Sequence, residues 1–297
     1  MTSILNKLFN SRLFNSSGAL VVVLFLTLAT ATTTALPSIR ASYRTYLSLG
    51  PGGIPHNFLG FVLQACLRPI ARSDLRASTD NPSESVVDGE RRYAPYGRRS
   101  FLSSSSSSSK EDTTIAIAAG GDGGGGGQGG GGGLPTRKGD RPAVPSFVAP
   151  QRQVSMQSTE GMVARMQGFL GGLAEVNSGV LEIGPSGLEG AWHTAVFLKR
   201  EGAGEVPGYM GMAKREIVHV HSEGSSHVTV SLVDGEEAVR KGWAERHPLS
   251  GVRKLLPWSY VMVYAPRDDD EYEVWTRLVV AGCMFVSGGK EIKMVES

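Results

Sequence analysis

The chain has 297 residues and a formal net charge of only +2 at neutral pH. So small a charge on a chain of this length gives no electrostatic case for nucleic acid as a partner. The two cysteines, Cys66 and Cys283, stand far apart in the sequence. This spacing excludes a disulfide framework and a paired-cysteine metal motif, and we expect both to be buried apolar residues.

An uncharged run near the N-terminus, residues 18–36, is long enough to cross a membrane. As a helix it would extend roughly 28 Å. The alternative is a signal peptide, since small residues at its end suit a signal peptidase, but the run is long for one. We expect an uncleaved single-pass anchor that follows a tail of residues 1–17. Arg68, Arg72 and Arg76, together with the lack of paired cysteines, favour a cytosolic position for the remainder.

Two segments separate this run from the rest of the chain. Residues 37–72 form a juxtamembrane segment, whose apolar part "NFLGFVLQACL" is expected either to lie in the membrane interface or to dock onto the folded domain. Residues 73–133 lose hydrophobic periodicity and contain runs of serine and glycine. Such runs have little to bury, so this segment is predicted to be a disordered linker.

From Leu134 onward the pattern is typical of one compact domain, residues 134–297. The stretch from Ser158 is predicted to be an amphipathic helix with Ser158 or Thr159 at its N-cap. Strands are predicted at residues 179–183 and 191–199. His193, in the second of these strands, is expected to be partly buried.

Two further strands alternate valine with polar residues around the turn "SEGSS", which predicts a hairpin. The next segment is predicted to be a short helix with Asp234 as N-cap and with Trp243, Arg246 and His247 at its end. A strand is predicted in "WSYVMVYAP", and the last helix is predicted to begin after Asp268. The fold class is therefore α+β, with a mostly antiparallel sheet and flanking helices.

Three of the six histidines lie within nine residues, in the predicted hairpin. If both strands turn their valines to the core, His219, His221 and His227 share the other face. Such a face can bind a metal, although Glu223 follows the pair too closely for the glutamate of a cupin site. The same imidazoles can act as a general base or proton shuttle, because histidine titrates near neutral pH. The third alternative is an exposed polar face without chemistry.

Several separated motifs resemble the fungal luciferases and the wider luciferase-like domain family. They are "KREIVHVH", "HVTVSLVDGEEAVRKGWAERHPLSG" and "YAPRDDDE", with "LPTRKGDRP" and "QRQ" upstream and "YRTYLSLGPGGIPHNFLGF" before the linker. They follow one another in the order found in the family. Residues 73–133 then correspond to an insertion relative to the luciferases.

The resemblance implies an oxygenase that acts with dioxygen on a hispidin-type 2-pyrone and needs no cofactor. It also implies attachment to an internal membrane such as the endoplasmic reticulum. In such an enzyme His219 or His221 would remove a proton from the substrate, while His227 and His247 would orient groups or shuttle protons. The products would be carbon dioxide and a carbonyl compound, with or without light.

The resemblance further implies residues that contact the substrate. Arg246 or Arg215 would stabilise an enolate or peroxide anion, and Trp243 and Tyr264 would wall an aromatic substrate. For each arginine the alternative is a surface ion pair with a neighbouring glutamate. For the domain as a whole the alternative is a non-luminous module that binds a metal or a small metabolite through its histidines.

Overall fold

The computed structural model describes residues 36–77, 92–102, 133–201, 206–253 and 255–295. The chain divides into two compact units, Met1–Gly50 and Pro51–Ser297. In the first unit, residues 36–48 are helical. The predicted membrane span lies, apart from residue 36, outside the described residues and stays a prediction. Within the described ranges, no helix combines the length and the hydropathy needed to cross a bilayer.

The second unit is an α+β domain, as predicted. Its helices are α1 (Phe58–Leu67), α2 (Glu160–Val176), α3 (Leu232–Arg240) and α4 (Asp269–Val286). Its strands are β1 (Leu181–Ser186), β2 (Gly190–Leu198), β3 (Glu216–Val220), β4 (Ser226–Thr229), β5 (Ala244–Arg246) and β6 (Tyr260–Val263). These strands form one sheet in the order β1-β2-β3-β4-β6-β5, and each neighbouring pair is antiparallel.

The two faces of the sheet carry different kinds of residue. Val218 of β3 pairs with Val228 of β4, and both are buried on the face that α4 covers. Trp275 of α4 donates a hydrogen bond to β4 on this same face. His219 and His227 also pair directly, and because side chains alternate along a strand they lie on the opposite face. The predicted hairpin and its shared histidine face are confirmed.

Capping side chains set the starts of two helices as predicted. The Thr159 hydroxyl accepts the N–H of Met162 at 3.2 Å and begins α2. The Asp268 carboxylate accepts the N–H of Glu271 at 2.9 Å and begins α4. Each bond satisfies a backbone donor that has no partner inside the helix.

The predicted start of α3 is wrong. Ser231 is the N-cap, since its hydroxyl accepts the N–H of Asp234 at 3.1 Å, and the helix begins at Leu232. The Asp234 carboxylate instead accepts hydrogen bonds from the Ser100 hydroxyl at 2.6 Å and the Phe101 N–H at 3.0 Å. A local capping pattern cannot reveal that an aspartate is used by a distant segment.

The predicted end of α3 is also wrong. The helix stops at Arg240, and Gly242 follows with a φ of +86°, a left-handed conformation that favours glycine. The chain then enters β5, which pairs with β6. Trp243, Arg246 and His247 therefore lie around a strand of the sheet rather than at the end of a helix.

Part of the predicted linker belongs to the folded body. Tyr93, Phe101 and Leu102 are buried in the hydrophobic core, so the prediction of a disordered linker is wrong for residues 92–102. The Tyr93 hydroxyl accepts the backbone N–H of Trp258 at 2.7 Å. Residues 78–91 and 103–132, which include the serine and glycine runs, lie outside the described residues.

Helix α1 docks onto the domain along one side. The Gln64 side chain is buried and accepts the N–H of Val148 at 3.3 Å. On the other side, Phe58 and Leu59 are 57% and 60% exposed. The helix therefore combines a docked face with an apolar face that is turned to solvent.

The two cysteines differ in exposure. Cys283 of α4 is buried, as predicted, and burial raises the pKa of its thiol to about 12, which makes it unreactive. Cys66 of α1 is exposed, so the prediction that it is buried is wrong. Helix α1 buries only one side, which includes Gln64 but not Cys66.

Gly282 marks a close approach of α4 to the sheet. A Cβ atom there would lie 2.8 Å from the Thr229 carbonyl oxygen and 2.8 Å from Val228 Cγ2. We expect Gly282→Ala to lower the free energy of unfolding by about 1–3 kcal/mol, because α4 must shift. Gly168→Ala on α2 is the matched control: its Cβ would meet nothing within 4 Å, and alanine favours the helix by about 0.5–1 kcal/mol. Urea unfolding followed by circular dichroism measures both, and an unchanged midpoint for Gly282→Ala would contradict the close contact.

Candidate functional site

Three imidazole rings meet on the face of the sheet opposite α4. The Nε2 atom of His219 lies 3.2 Å from Nε2 of His221 and 3.1 Å from Nδ1 of His227. All three side chains are at most 1% exposed. The interpretation as an exposed polar face is therefore wrong, and the structure brings together the three histidines that strand alternation predicted.

The outward nitrogen of each ring has its own hydrogen-bond acceptor. Nδ1 of His219 lies 2.6 Å from the Glu216 carboxylate, which can only accept. Nδ1 of His221 lies 2.9 Å from the Ser225 hydroxyl, which donates its own proton to a glutamate. Nε2 of His227 lies 3.1 Å from Oε1 of Gln151. These acceptors place the N–H of each ring outside the cluster and leave a lone pair pointing inward.

Glu216 lies between the cluster and the turn that joins β1 to β2. It also accepts hydrogen bonds from the Ser186 hydroxyl at 2.7 Å and the Gly187 N–H at 2.7 Å. Burial pushes the pKa of Glu216 up, but these bonds and the one from His219 outweigh burial and lower the pKa. The carboxylate is thus charged and holds the His219 ring in one orientation.

Glu189, in the same turn, brings a carboxylate to the inward side of the cluster. The Ser186 hydroxyl accepts the Glu189 N–H at 2.9 Å and so fixes the turn. Oε1 of Glu189 lies 3.8 Å from Nε2 of His221, while Oε2 accepts a hydrogen bond from Arg152 at 2.7 Å. The ligand atoms of Glu189 and the three histidines all lie within 4.8 Å of one another. These four residues could hold a metal ion.

A buried polar segment, residues 151–153, supports the cluster from the loop side. Gln151 donates from Nε2 to the Glu245 carboxylate at 3.0 Å and to the Arg246 carbonyl at 3.1 Å, so its Oε1 faces His227. Arg152 lies 3.1 Å from Nε2 of His193. His193 lies in β2 as predicted, although it is buried rather than partly buried.

Burial also sets the charge of the histidines. It lowers the pKa of His221 and of His227 well below the ordinary value, and neighbouring charges add to this effect at His227. For His247, burial lowers the pKa to about 3. Neutral rings are the form in which imidazole accepts a proton or binds a metal.

A cleft of about 660 Å³ lies on the other side of Gln151, and none of the three clustered histidines is among its lining residues. Its lining includes Arg68, Arg72 and Arg76, and also Gln151 and Glu245. Gln151 thus borders the cleft while its side chain contacts His227. The volume is in the range of small-molecule sites, about 300–1,000 Å³, and the arginines favour an anionic ligand.

His247 lies beside the cluster without joining it. Its ring centroid is 5.3 Å from that of His227, and its Nδ1 accepts the backbone N–H of Leu249 at 3.0 Å. The ring of Tyr260 stacks on His227 at a centroid distance of 5.0 Å. His247 and Tyr260 therefore form an aromatic layer that supports His227.

The two predicted anion-binding arginines are used elsewhere. Arg246 donates to Glu236 at 2.8 Å and to the Ala77 carbonyl at 3.0 Å, and its guanidinium lies 4.4 Å from the ring centroid of Trp258. Arg215 forms an ion pair with Glu182 and donates to the Leu198 carbonyl at 2.7 Å. Both form ion pairs, but with partners distant in sequence rather than with the adjacent glutamates.

Neither of the two predicted aromatic wall residues, Trp243 and Tyr264, lines the cleft. Trp243 is buried, and its indole N–H donates to the Pro135 carbonyl at 2.6 Å. The Tyr264 hydroxyl donates to Glu245 at 3.0 Å. Tyr264 thus positions a carboxylate of the cleft lining, whereas the contacts of Trp243 are those of a core residue.

Glu189, Glu216 and Gln151 are site residues that were not predicted from the sequence. Glu216 stands three residues before His219 on the same strand, and Gln151 belongs to the "QRQ" motif, so both had a signal in the sequence. Glu189 had none beyond its position in a turn. The charges of Arg68, Arg72 and Arg76 indicated only a cytosolic position for the remainder of the chain, and not a binding site.

Comparisons with known proteins agree with the motifs noted above. The luciferase domain model matches residues 214–282, which include the three clustered histidines. The luciferase of Armillaria gallica is 25% identical, with 88% of this chain and 86% of that protein aligned. The luciferase of Neonothopanus nambi is 23% identical, over 99% of this chain and 97% of that protein. No solved structure matches the chain. The resemblance is thus confirmed: residues 214–282 match the luciferase domain model, and the chain is similar to fungal luciferases over most of its length.

Proposed function

We propose that this protein is a luciferase-like oxygenase that acts with dioxygen on a hydroxy-2-pyrone of the hispidin type. The observation that carries the proposal is the buried set of inward-facing imidazole lone pairs, which Gln151 connects to an arginine-lined cleft. The relation to fungal luciferases supports the choice of reaction.

The chemistry requires that a 3-hydroxyl proton be removed and that the resulting enolate be held away from water. His219 is the best-oriented proton acceptor, because Glu216 fixes its ring and would stabilise the positive charge on a protonated imidazole. The arginines at the cleft would attract the anion.

The proposed reaction balances without an external electron donor. A carbon atom of the enolate forms a bond to one oxygen atom of dioxygen, and the second oxygen closes onto the ring as a cyclic peroxide. The O–O bond then breaks as the lactone carbon leaves in carbon dioxide. Dioxygen is reduced entirely by the carbon skeleton, and the proton taken from the hydroxyl group returns to the product.

The test is to add 3-hydroxyhispidin in air to the full-length protein, purified in detergent. We expect loss of substrate absorbance with matching oxygen uptake, and photon counting shows whether the product is formed in an excited state. Oxygen uptake without photons would support an oxygenase that does not emit light. The absence of both substrate loss and oxygen uptake would overturn the proposal.

Arg68 offers a test of the cleft. Arg72 and Arg76 are paired with Asp74 and Glu245, whereas the hydrogen bonds of Arg68 go to Ser146. We expect Arg68→Gln to raise KM for the anionic pyrone about threefold to tenfold with little change in kcat, because an exposed charge contributes modestly to binding.

The matched control for this substitution is Arg165→Gln. Arg165 is an exposed arginine of α2 that pairs with Asp269. Its replacement by glutamine removes the same charge at a position away from the cleft. Steady-state kinetics of both variants measure the effect. An equal KM for Arg68→Gln, Arg165→Gln and the parent protein would argue against substrate binding in the cleft.

We also propose that the protein is attached to a membrane through residues 18–36. Two observations support this: the uncharged run itself, and the exposed Phe58 and Leu59 on α1 farther along the chain. Carbonate extraction of membranes from cells that produce the full chain provides the test. Recovery of the protein in the carbonate supernatant would contradict a membrane-spanning segment.

A further inference from the structure

We propose that Glu189, His219, His221 and His227 form a binding site for one divalent first-row transition metal ion. The inference deepens the proposed function and rests on it for the identity of the substrate. Metal binding itself can be measured without any substrate.

The hydrogen bonds around the cluster are the first argument. Glu216, Ser225 and Gln151 each occupy the outward nitrogen of one ring as an acceptor. The three rings are thereby left with lone pairs that face one another in a buried space. Lone pairs at such distances repel unless a cation or a proton lies between them, and outward N–H groups held by acceptors are the usual arrangement around metal-bound histidines.

The distances are the second argument. With metal–nitrogen bonds of about 2.1 Å, two imidazole nitrogens on one ion lie about 3.0–3.4 Å apart for angles between octahedral and tetrahedral. The distances from His219 Nε2 to the nitrogens of His221 and His227 are 3.2 and 3.1 Å. Both distances therefore match those expected for His219 and a second ring on one ion.

The charges are the third argument. The carboxylates of Glu189, Glu216 and Glu223 are all within hydrogen-bond or ion-pair distance of the clustered histidines, and Arg152 is the guanidinium that faces them. Oε2 of Glu223 is buried and has no hydrogen-bond partner among the described residues. Buried negative charge is costly unless it is compensated, and a divalent cation would compensate it.

The ligand set indicates the kind of ion. Three imidazoles and one carboxylate suit iron, cobalt, nickel, copper or zinc better than magnesium or calcium, which prefer oxygen. Four protein ligands leave positions open on an octahedral ion, where the enolate oxygens of a hydroxypyrone could bind. Coordination would lower the pKa of the pyrone hydroxyl, so that the pyrone releases its proton to the solvent and binds as the anion. His219 would then act as a ligand and not as the proton acceptor.

Metal analysis of the full-length protein, produced without a histidine tag, is the test. We expect about one equivalent of a transition metal per chain by plasma mass spectrometry. After the metal is removed with a chelator, a titration with Co²⁺ should produce d–d absorption bands that saturate at one equivalent. His219→Ala should abolish these bands, and Glu189→Gln should weaken Co²⁺ binding at least about tenfold.

The matched control is His56→Asn, which removes an exposed imidazole that is not among the four ligands. It should bind Co²⁺ like the parent protein. Protein with no metal as purified, and no Co²⁺ bands at one equivalent, would overturn the inference whether or not His219→Ala folds. Pyrone turnover by such metal-free protein would leave the proposed function intact, whereas a bound metal without turnover would contradict the proposed function alone.

Discussion

Replacing His219 by alanine should lower the turnover number for the hydroxypyrone by about 100- to 10,000-fold, the range for the loss of a group that handles the substrate proton. His219 is the central ring of the cluster, since its Nε2 atom lies within 3.2 Å of both other rings. The alanine variant therefore loses the proton acceptor of the metal-free site or one ligand of the metal-bound site. Single-turnover oxygen uptake with excess enzyme measures the chemical step directly.

His56→Ala is the control for this substitution. His56 lies on the surface in the loop before α1 and carries the same side chain outside the cluster. We expect it to retain parental turnover, and circular dichroism should show that both variants are folded. Parental turnover in a folded His219→Ala protein would exclude the cluster as the site of chemistry.

The arrangement of the hairpin could be predicted because it depends on local pattern. Alternation of valine with histidine in β3 and β4 decides which side chains share a face, and the turn between the strands fixes their register. The same reasoning failed for α3, where Ser231 and Asp234 both suit an N-cap and a distant segment uses Asp234. Short polar side chains are ambiguous in this way because each can accept a hydrogen bond either from the nearby backbone or from a distant segment.

The carboxylate of the cluster could not be predicted. Glu189 stands thirty residues before His219 and reaches the cluster only because the Ser186 hydroxyl and the left-handed Gly190 shape the turn between β1 and β2. Glu223, the nearest acidic residue after His221, follows the pair too closely for the glutamate of a cupin site. Arg246 shows the converse, since its position in a family motif suggested a role with substrate, whereas tertiary contacts with Glu236 and Trp258 use its charge.

Glu216→Gln is expected to reduce turnover about 10- to 100-fold while the protein stays folded, which is the usual cost of losing a residue that orients a histidine at a metal or catalytic centre. Glu216 accepts three hydrogen bonds, from His219 Nδ1, the Ser186 hydroxyl and the Gly187 N–H. Glutamine keeps the shape but has one acceptor oxygen instead of two. It also lacks the negative charge that stabilises the N–H of His219 in its outward position.

A matched substitution separates this effect from a general loss of charge. Glu182→Gln removes a carboxylate from β1 that pairs with Arg215 near the surface, so turnover should be unchanged. Steady-state kinetics and urea unfolding of both variants distinguish orientation from stability. If His219 depends on Glu216, kcat falls in Glu216→Gln alone and KM changes little. Equal losses of kcat in the two variants, or a loss that follows the unfolding midpoint, would instead assign Glu216 a purely structural role.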